Sequence, residues 1–167
     1  GRETVCTFTD SRILPKLTVT KVVVNDNGGT KAVSDFVLRV DGSQVTSGVQ
    51  STFSAGAHTV SEDAAPGYTT VIGGDCASDG SITLNYGDVK SCTITNDDIP
   101  PILHVIKHVV NDNGGTALAA AFTMSVTGAS PSPSSFLGAE SPGTTVSLNA
   151  GAYSLSETGP FGYASSC

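Results

Sequence analysis

Residues 92–96 read CTITN, and residues 6–10 repeat the same pattern as CTFTD. Each stretch places a cysteine, an apolar residue and an Asn or Asp on one side and threonines on the other, which predicts a short β-strand with one inward face. Residues 92–96 close a domain that begins near Leu17, whereas residues 6–10 have no domain before them to close. The chain then stops at Cys167, before the second domain reaches such a strand. We therefore expect a closing strand that is spare at one end and missing at the other.

The chain is an internal repeat, and finding it decides the domain organisation. Three segments recur: LTVTKVVV at 17–24 as LHVIKHVV at 103–110, NDNGGT at 25–30 again at 111–116, and AGAHTVSE at 55–62 as AGAYSLSE at 150–157. Short Val- and Thr-rich runs between turn residues predict an all-β fold of two tandem β-sandwich repeats. We assign residues 1–12 to a donor strand, 17–98 to the first repeat, 99–102 to a Pro linker and 103–167 to an incomplete second repeat.

Composition narrows the class of protein. The 167 residues carry a net charge of −7 and only 8 Lys and Arg, which argues against nucleic acid as a partner. No apolar run is long enough to span a bilayer. Four cysteines in a strand-rich chain favour disulfides in an extracellular, oxidising setting. Because no catalytic or cofactor motif occurs, we expect neither an enzyme nor a resident cofactor or metal.

Two loops are candidates for ligands or modification. The Asn-Gly-Gly run after the first strand predicts a tight hairpin. Asn25, Asp26 and Asn27 also resemble a calcium loop, although the downstream bidentate glutamate of such loops is missing, so calcium is a weak candidate. The Ser/Thr/Pro-rich loop at 129–145 is a candidate for O-glycans, with an ordinary solvated loop as the alternative.

Strand alternation predicts which polar side chains are buried. Leu17 and Val19 share a face with Lys21, and the same alternation turns Glu62 and Asn96 inward. Buried without partners, these groups would cost several kcal/mol, so we expect them to meet. A neutral amine beside a protonated acid and an amide is the arrangement for self-catalysed isopeptide formation; a hydrogen-bonded Lys–Glu pair with no covalent bond is the alternative.

These motifs resemble the Cna-B or SpaA-like domains, which are prealbumin-like β-sandwiches of surface proteins and pili. The resemblance is carried by an early strand with Lys, a late strand with Glu before a Gly-Tyr pair, and a last strand that ends in Asn. It implies Lys21, Glu62 and Asn96 as the bond-forming set in the first repeat, with lysine attacking the Asn side chain and glutamate shuttling the proton. In the second repeat it implies Lys107 and Glu157, with Asp10 of a neighbouring chain in the third role. The cysteines, and Asp in place of Asn at position 10, depart from the family pattern.

The cysteines suggest how subunits join. We expect Cys76 to pair with Cys92 across a predicted hairpin near residues 85–87. By the repeat, Cys167 corresponds to Cys76 and Cys6 to Cys92, so we expect these two to pair between neighbours. The expected subunit interface then consists of four residues at the start of the chain: Val5, Cys6, Phe8 and Asp10.

Together these expectations describe a pilus-like extracellular filament. Residues 1–12 of each subunit would complete the second repeat of the next, giving a head-to-tail homopolymer with disulfide and possible isopeptide cross-links. One alternative is a ligand- or glycan-binding adhesin module, which the 6% aromatic content and the absence of Trp disfavour. Another is a segment of a longer tandem array, in which Cys6 closes an upstream domain and Cys167 pairs downstream.

Overall fold

The computed structural model describes residues 1–167 and is almost entirely strands and loops. The chain divides into two compact units: unit 1 comprises residues 1–24 and 31–97, and unit 2 comprises residues 25–30 and 98–167. Two single-turn 3-10 helices, Val33–Asp35 and Ala119–Ala121, are the helical elements. Neither is long or apolar enough to cross a membrane.

Unit 1 is a sandwich of two four-stranded sheets, in the orders β4-β1-β8-β6 and β3-β2-β5-β7. Inward side chains of both sheets, among them Leu17, Val60 and Ile94, form one buried cluster. The strands are β1 (Lys16–Val24), β2 (Leu38–Val40), β3 (Ser43–Val45), β4 (Gln50–Thr52), β5 (Gly56–Glu62), β6 (Tyr68–Gly74), β7 (Ser81–Leu84) and β8 (Val89–Asp98).

The first and last strands of this sandwich lie side by side. β1 pairs with β8 in parallel along its whole length, from Lys16 opposite Val89 to Val24 opposite Asp97. A parallel pair needs a long connection, and here the intervening strands of the domain supply it. The two predicted hairpins are therefore wrong. The loop after β1 leads to β2 in the other sheet, and residues 85–88 likewise connect β7 to β8 across the two sheets.

A disulfide joins Cys76, in the turn after β6, to Cys92 on β8, as the sequence analysis expects. Both cysteines are buried in the cluster of unit 1. Because the bond closes a loop with a sequence separation of 16 residues, loop entropy alone corresponds to about 3 kcal/mol of stabilisation.

Unit 2 contains counterparts of only the first five strands. Its sheets have the orders β12-β9 and β11-β10-β13, and its buried cluster includes Val105, Met124 and Val126. Counterparts of β6, β7 and β8 do not occur in residues 98–167, so the difference from unit 1 is larger than the single closing strand expected. The strands are β9 (Ile102–Val105), β10 (Thr123–Gly128), β11 (Ser135–Leu137), β12 (Thr144–Ser147) and β13 (Tyr153–Thr158).

The predicted strand at residues 6–10 does not form in the isolated chain. Residues 1–15 are irregular, and the side chains of Val5 and Phe8 are 80% and 87% exposed. A strand needs a hydrogen-bonded neighbour, and residues 6–10 have none within their own chain.

The buried side chain of His58 on β5 is hydrogen-bonded to the turn after β2. His58 Nδ1 lies 2.6 Å from Asp41 Oδ2, and His58 Nε2 lies 2.9 Å from the carbonyl oxygen of Ser54. Both ring nitrogens face acceptors, so the fold favours the imidazolium. The hydrogen bond to Asp41 is the main cause that raises the pKa of His58, with help from Ser54 and against the effect of burial.

This geometry predicts that unit 1 loses stability as the pH rises above about 6.5. A raised pKa means that the stabilisation is complete below the unfolded histidine pKa of about 6.5 and is lost as pH rises through the folded value, with a slope of at most about 1.4 kcal/mol per pH unit. Urea unfolding of the native chain and of Asp41→Asn across neutral pH measures it. The variant should lose this slope; equal slopes would contradict the assignment.

Candidate functional site

Three polar side chains meet inside unit 1. Lys21 comes from β1, Glu62 from β5 in the opposite sheet, and Asn96 from β8 beside β1. Lys21 Nζ lies 2.9 Å from Glu62 Oε2, and Asn96 Nδ2 donates a hydrogen bond of 2.6 Å to Glu62 Oε1. The structure thus brings together the three residues that the sequence analysis singled out, with the carboxylate between the amine and the amide.

The pair is removed from water. The side chains of Lys21 and Glu62 are 0% and 3% exposed, and the Lys21 ammonium lies 4.3 Å from the centre of the Phe36 ring. Burial is the largest effect on Lys21 and lowers its pKa, while the hydrogen bond and the negative charge of Glu62 oppose that shift. A lowered pKa increases the fraction of neutral amine, which is the nucleophilic form.

The amide of Asn96 has one hydrogen-bonded end and one unsatisfied end. Asn96 is fully buried, and its Oδ1 has no hydrogen-bond partner. Glu62 Oε2 also lacks a directional hydrogen bond, although Lys21 lies at ion-pair distance from it. Asn96 is therefore held through its amide nitrogen, and its buried carbonyl oxygen is left without a hydrogen bond.

Unit 2 contains two of the three corresponding residues. Lys107 Nζ lies 3.1 Å and 2.9 Å from the two carboxylate oxygens of Glu157, and 4.1 Å from the centre of the Phe122 ring. The two side chains are 13% and 15% exposed, so this pair is wetter than its counterpart. They line an open groove of about 990 Å³ between residues 106–115 and the segment that follows β13.

The remaining predicted residues lie apart from these clusters. Asp10 is exposed in the irregular segment at the start of the chain. Cys6 and Cys167 are free and exposed. Asn27 directs its side-chain nitrogen toward Asp26 and Asp98 and donates a hydrogen bond to each. Calcium binding and O-glycans on residues 129–145, a loop that includes β11, stay predictions.

Sequence reasoning missed the aromatic ring under each lysine. Phe36 is 6% exposed and Phe122 is 1% exposed, and each provides the face on which the amine rests. A cation over an aromatic ring gains about 0.5–2 kcal/mol, depending on desolvation. The sequence contains a signal for this contact, because the two phenylalanines occupy matching positions in the two repeats.

The comparison with protein families gives one match over most of the chain. A SpaA-type family model, described as a prealbumin-like fold domain, matches residues 14–94 and again residues 98–167. No curated protein and no solved structure matches the chain. The two matched segments coincide with the two repeats.

The different burial of the two pairs predicts different costs of breaking them. Glu62→Ala leaves the Lys21 amine buried without a counter-charge and should destabilise unit 1 by about 3–5 kcal/mol. Glu157→Ala should cost less, because Lys107 retains contact with water. Hydrogen exchange of β5 and β10 amides reports the two units separately. The double variant Lys21→Met/Glu62→Leu should be more stable than Glu62→Ala. Equal stability of the two variants would show that the unpaired charge does not cause the destabilisation.

Proposed function

Because the chain belongs to the SpaA-type family of prealbumin-like fold domains, we propose that it is a structural segment of an extracellular filament or surface stalk. Domains of this family generally have structural roles and typically occur in surface-exposed proteins. The observation that carries the proposal is the buried Lys21–Glu62–Asn96 cluster, which joins the first and last strands of a unit.

The strand arrangement suits a tether under tension. Force transmitted along the chain would enter unit 1 at the start of β1 and leave at the end of β8. These points lie at opposite ends of the parallel ladder, since Lys16 pairs with Val89 and Val24 with Asp97. Pulling them apart loads the hydrogen bonds of the ladder together rather than one at a time. A cross-link inside this ladder would carry the force directly.

The cluster contains the groups that such a cross-link requires. In the proposed step the neutral Lys21 amine attacks Asn96 Cγ, forming the Nζ–Cγ bond, and the Asn96 side-chain nitrogen leaves as ammonia. Glu62 accepts a proton from the attacking amine and delivers one to the leaving nitrogen, so it ends in its starting state. No external reactant is needed, because the amide already carries its leaving group.

The intact mass of the purified chain, measured after reduction of the Cys76–Cys92 disulfide, tests this step. We expect a mass lower than that of the sequence by one ammonia, with the loss assigned to a linked peptide that contains Lys21 and Asn96. Glu62→Ala and Asn96→Ala should both restore the full mass. Glu157→Ala is the matched control and should leave the ammonia loss unchanged. An intact mass equal to that of the sequence would rule out the bond and leave a hydrogen-bonded cluster.

We propose that unit 2 accepts a strand from a second copy. In unit 1, Cys92 and Asn96 pair with Val19 and Val23 of β1. The corresponding stretch of unit 2, residues 105–109, is in a strand only at Val105. Residues 6–10 have the pattern of residues 92–96, with apolar side chains exposed at Val5 and Phe8.

The docked strand would supply the counterpart of β8, one of the three strands that unit 2 lacks. Asp10 would take the place of Asn96, beside Lys107 and Glu157, and Cys6 would take the place of Cys92. The resulting contact is head to tail and does not close on itself, so it propagates as a fibre. A disulfide between Cys6 of one copy and Cys167 of the next would link the two copies covalently at each junction.

A pair of single-cysteine variants tests the junction. Cys6→Ser retains only Cys167, and Cys167→Ser retains only Cys6, outside the buried disulfide. Mixed under oxidising conditions, they should give disulfide-linked dimers on non-reducing gels, several-fold more than either variant alone. Phe8→Asp in the Cys6-bearing partner should lower the yield, because a charge would enter the groove. Equal dimer yields in the mixture and in the separate variants would indicate non-specific oxidation and contradict the docking of a strand from a second copy.

A further inference from the structure

The two NDNGGT loops have identical sequences and different surroundings. Residues 25–30 follow β1, and residues 111–116 occupy the matching place in the second repeat. Each contains an Asn-Gly step, Asn27-Gly28 or Asn113-Gly114, with the glycine at positive φ (94° and 85°). Any chemical difference between the two steps must therefore come from the fold.

The first loop is held by the carboxylate of Asp98. The backbone N–H of Asn27 lies 3.1 Å from each carboxylate oxygen of Asp98, and the N–H of Gly29 donates to Oδ2. The side-chain amide of Asn27 donates to the Asp98 carbonyl at 3.1 Å and to Asp26 Oδ1 at 2.6 Å. Burial by itself would raise the pKa of Asp98, but the hydrogen bonds from Gly29 and Asn27 outweigh it and lower that pKa. Both the backbone and the side chain of Asn27 are thereby fixed.

The second loop has no such carboxylate. Asn113 is exposed, and its side-chain amide donates to the adjacent Asp112 at 2.9 Å. Gly114 faces open space, with nothing within 4 Å of the position that a Cβ would occupy. The loop is anchored on either side of this step, since the Tyr163 hydroxyl bonds Asn111 and the backbone of Ala117. The Asn-Gly step itself is held by the hydrogen bond from Asn113 to the adjacent Asp112.

We propose that Asn113-Gly114 is a site of spontaneous deamidation and that Asp98 protects the identical step at Asn27-Gly28. In the first step the backbone nitrogen of Gly114 attacks Cγ of Asn113 and the N–Cγ bond forms. The glycine proton passes to solvent, and the side-chain nitrogen takes a proton from solvent and leaves as ammonia. Water then opens the cyclic imide at either carbonyl and yields aspartate or isoaspartate. The glycine lacks the Cβ that would hinder ring closure.

Restraint decides the rate because the ring closes only when nitrogen and carbon approach closely. For Asn27 to reach that geometry it must give up its hydrogen bonds to the charged Asp98. Loss of one charge-assisted bond corresponds to a rate reduction of about tenfold or more. The product would place a new carboxylate among the residues that line the groove of unit 2.

Peptide mass spectrometry of the aged native chain tests the proposal. After incubation at neutral pH, digestion should reveal the conversion of amide to acid at residue 113 at least about ten times faster than at residue 27. Isoaspartate should appear at residue 113 as the second product. Asn113→Gln prevents the formation of the five-membered imide ring. This variant should abolish conversion at residue 113 and leave the rate at residue 27 unchanged.

Two controls assign the difference to Asp98. In denaturant the two steps should convert at similar rates, because their hexapeptides are identical. In folded Asp98→Asn, whose side chain keeps the size but loses the charge, conversion at Asn27 should rise toward the rate at Asn113. Equal rates at the two sites in the native chain, or an unchanged rate at Asn27 in Asp98→Asn, would overturn the proposal.

Discussion

Unit 1 is organised around the burial of one amine. A lysine ammonium without a partner in a protein interior costs several kcal/mol, so the residues around Lys21 are strongly constrained. The fold meets this constraint with a carboxylate from the opposite sheet, an amide from the neighbouring strand and the face of Phe36. These contacts come from both sheets, and they fix β1, β5 and β8 relative to one another. The same contacts set up the chemistry that we propose for the cluster.

Alternation along the strands predicted the interior well, because burial in a sandwich follows directly from the two-residue period. It placed Lys21, Glu62 and Asn96 inside, and it did so without knowledge of how the strands are ordered. The connections were predicted poorly. Asn-Gly-Gly indicates a change of chain direction, but it does not say whether the next strand joins the same sheet or the facing one. That choice depends on which apolar faces meet across the core, which is information from distant parts of the chain.

The second repeat shows how far the structure of a similar local sequence depends on its neighbours. β1 is a strand over nine residues because β8 lies beside all of it, whereas β9 covers four residues, the length along which β12 pairs with it. Residues 6–10 have the alternation of a strand and form none, for the same reason. The Lys107–Glu157 pair keeps its geometry but remains in contact with water. Pattern therefore specifies what a segment can become, and a hydrogen-bonded partner decides whether it does.

The disulfide of unit 1 has a consequence for resistance to proteolysis. Cys76 and Cys92 bracket β7 and the turn that follows it, where Tyr86 is half exposed. If a protease cuts the backbone in this turn, the two fragments stay covalently attached through sulfur. The ends of the domain remain connected, and β8 keeps its place in the sheet beside β1. A single nick in that turn would therefore leave the domain continuous from end to end.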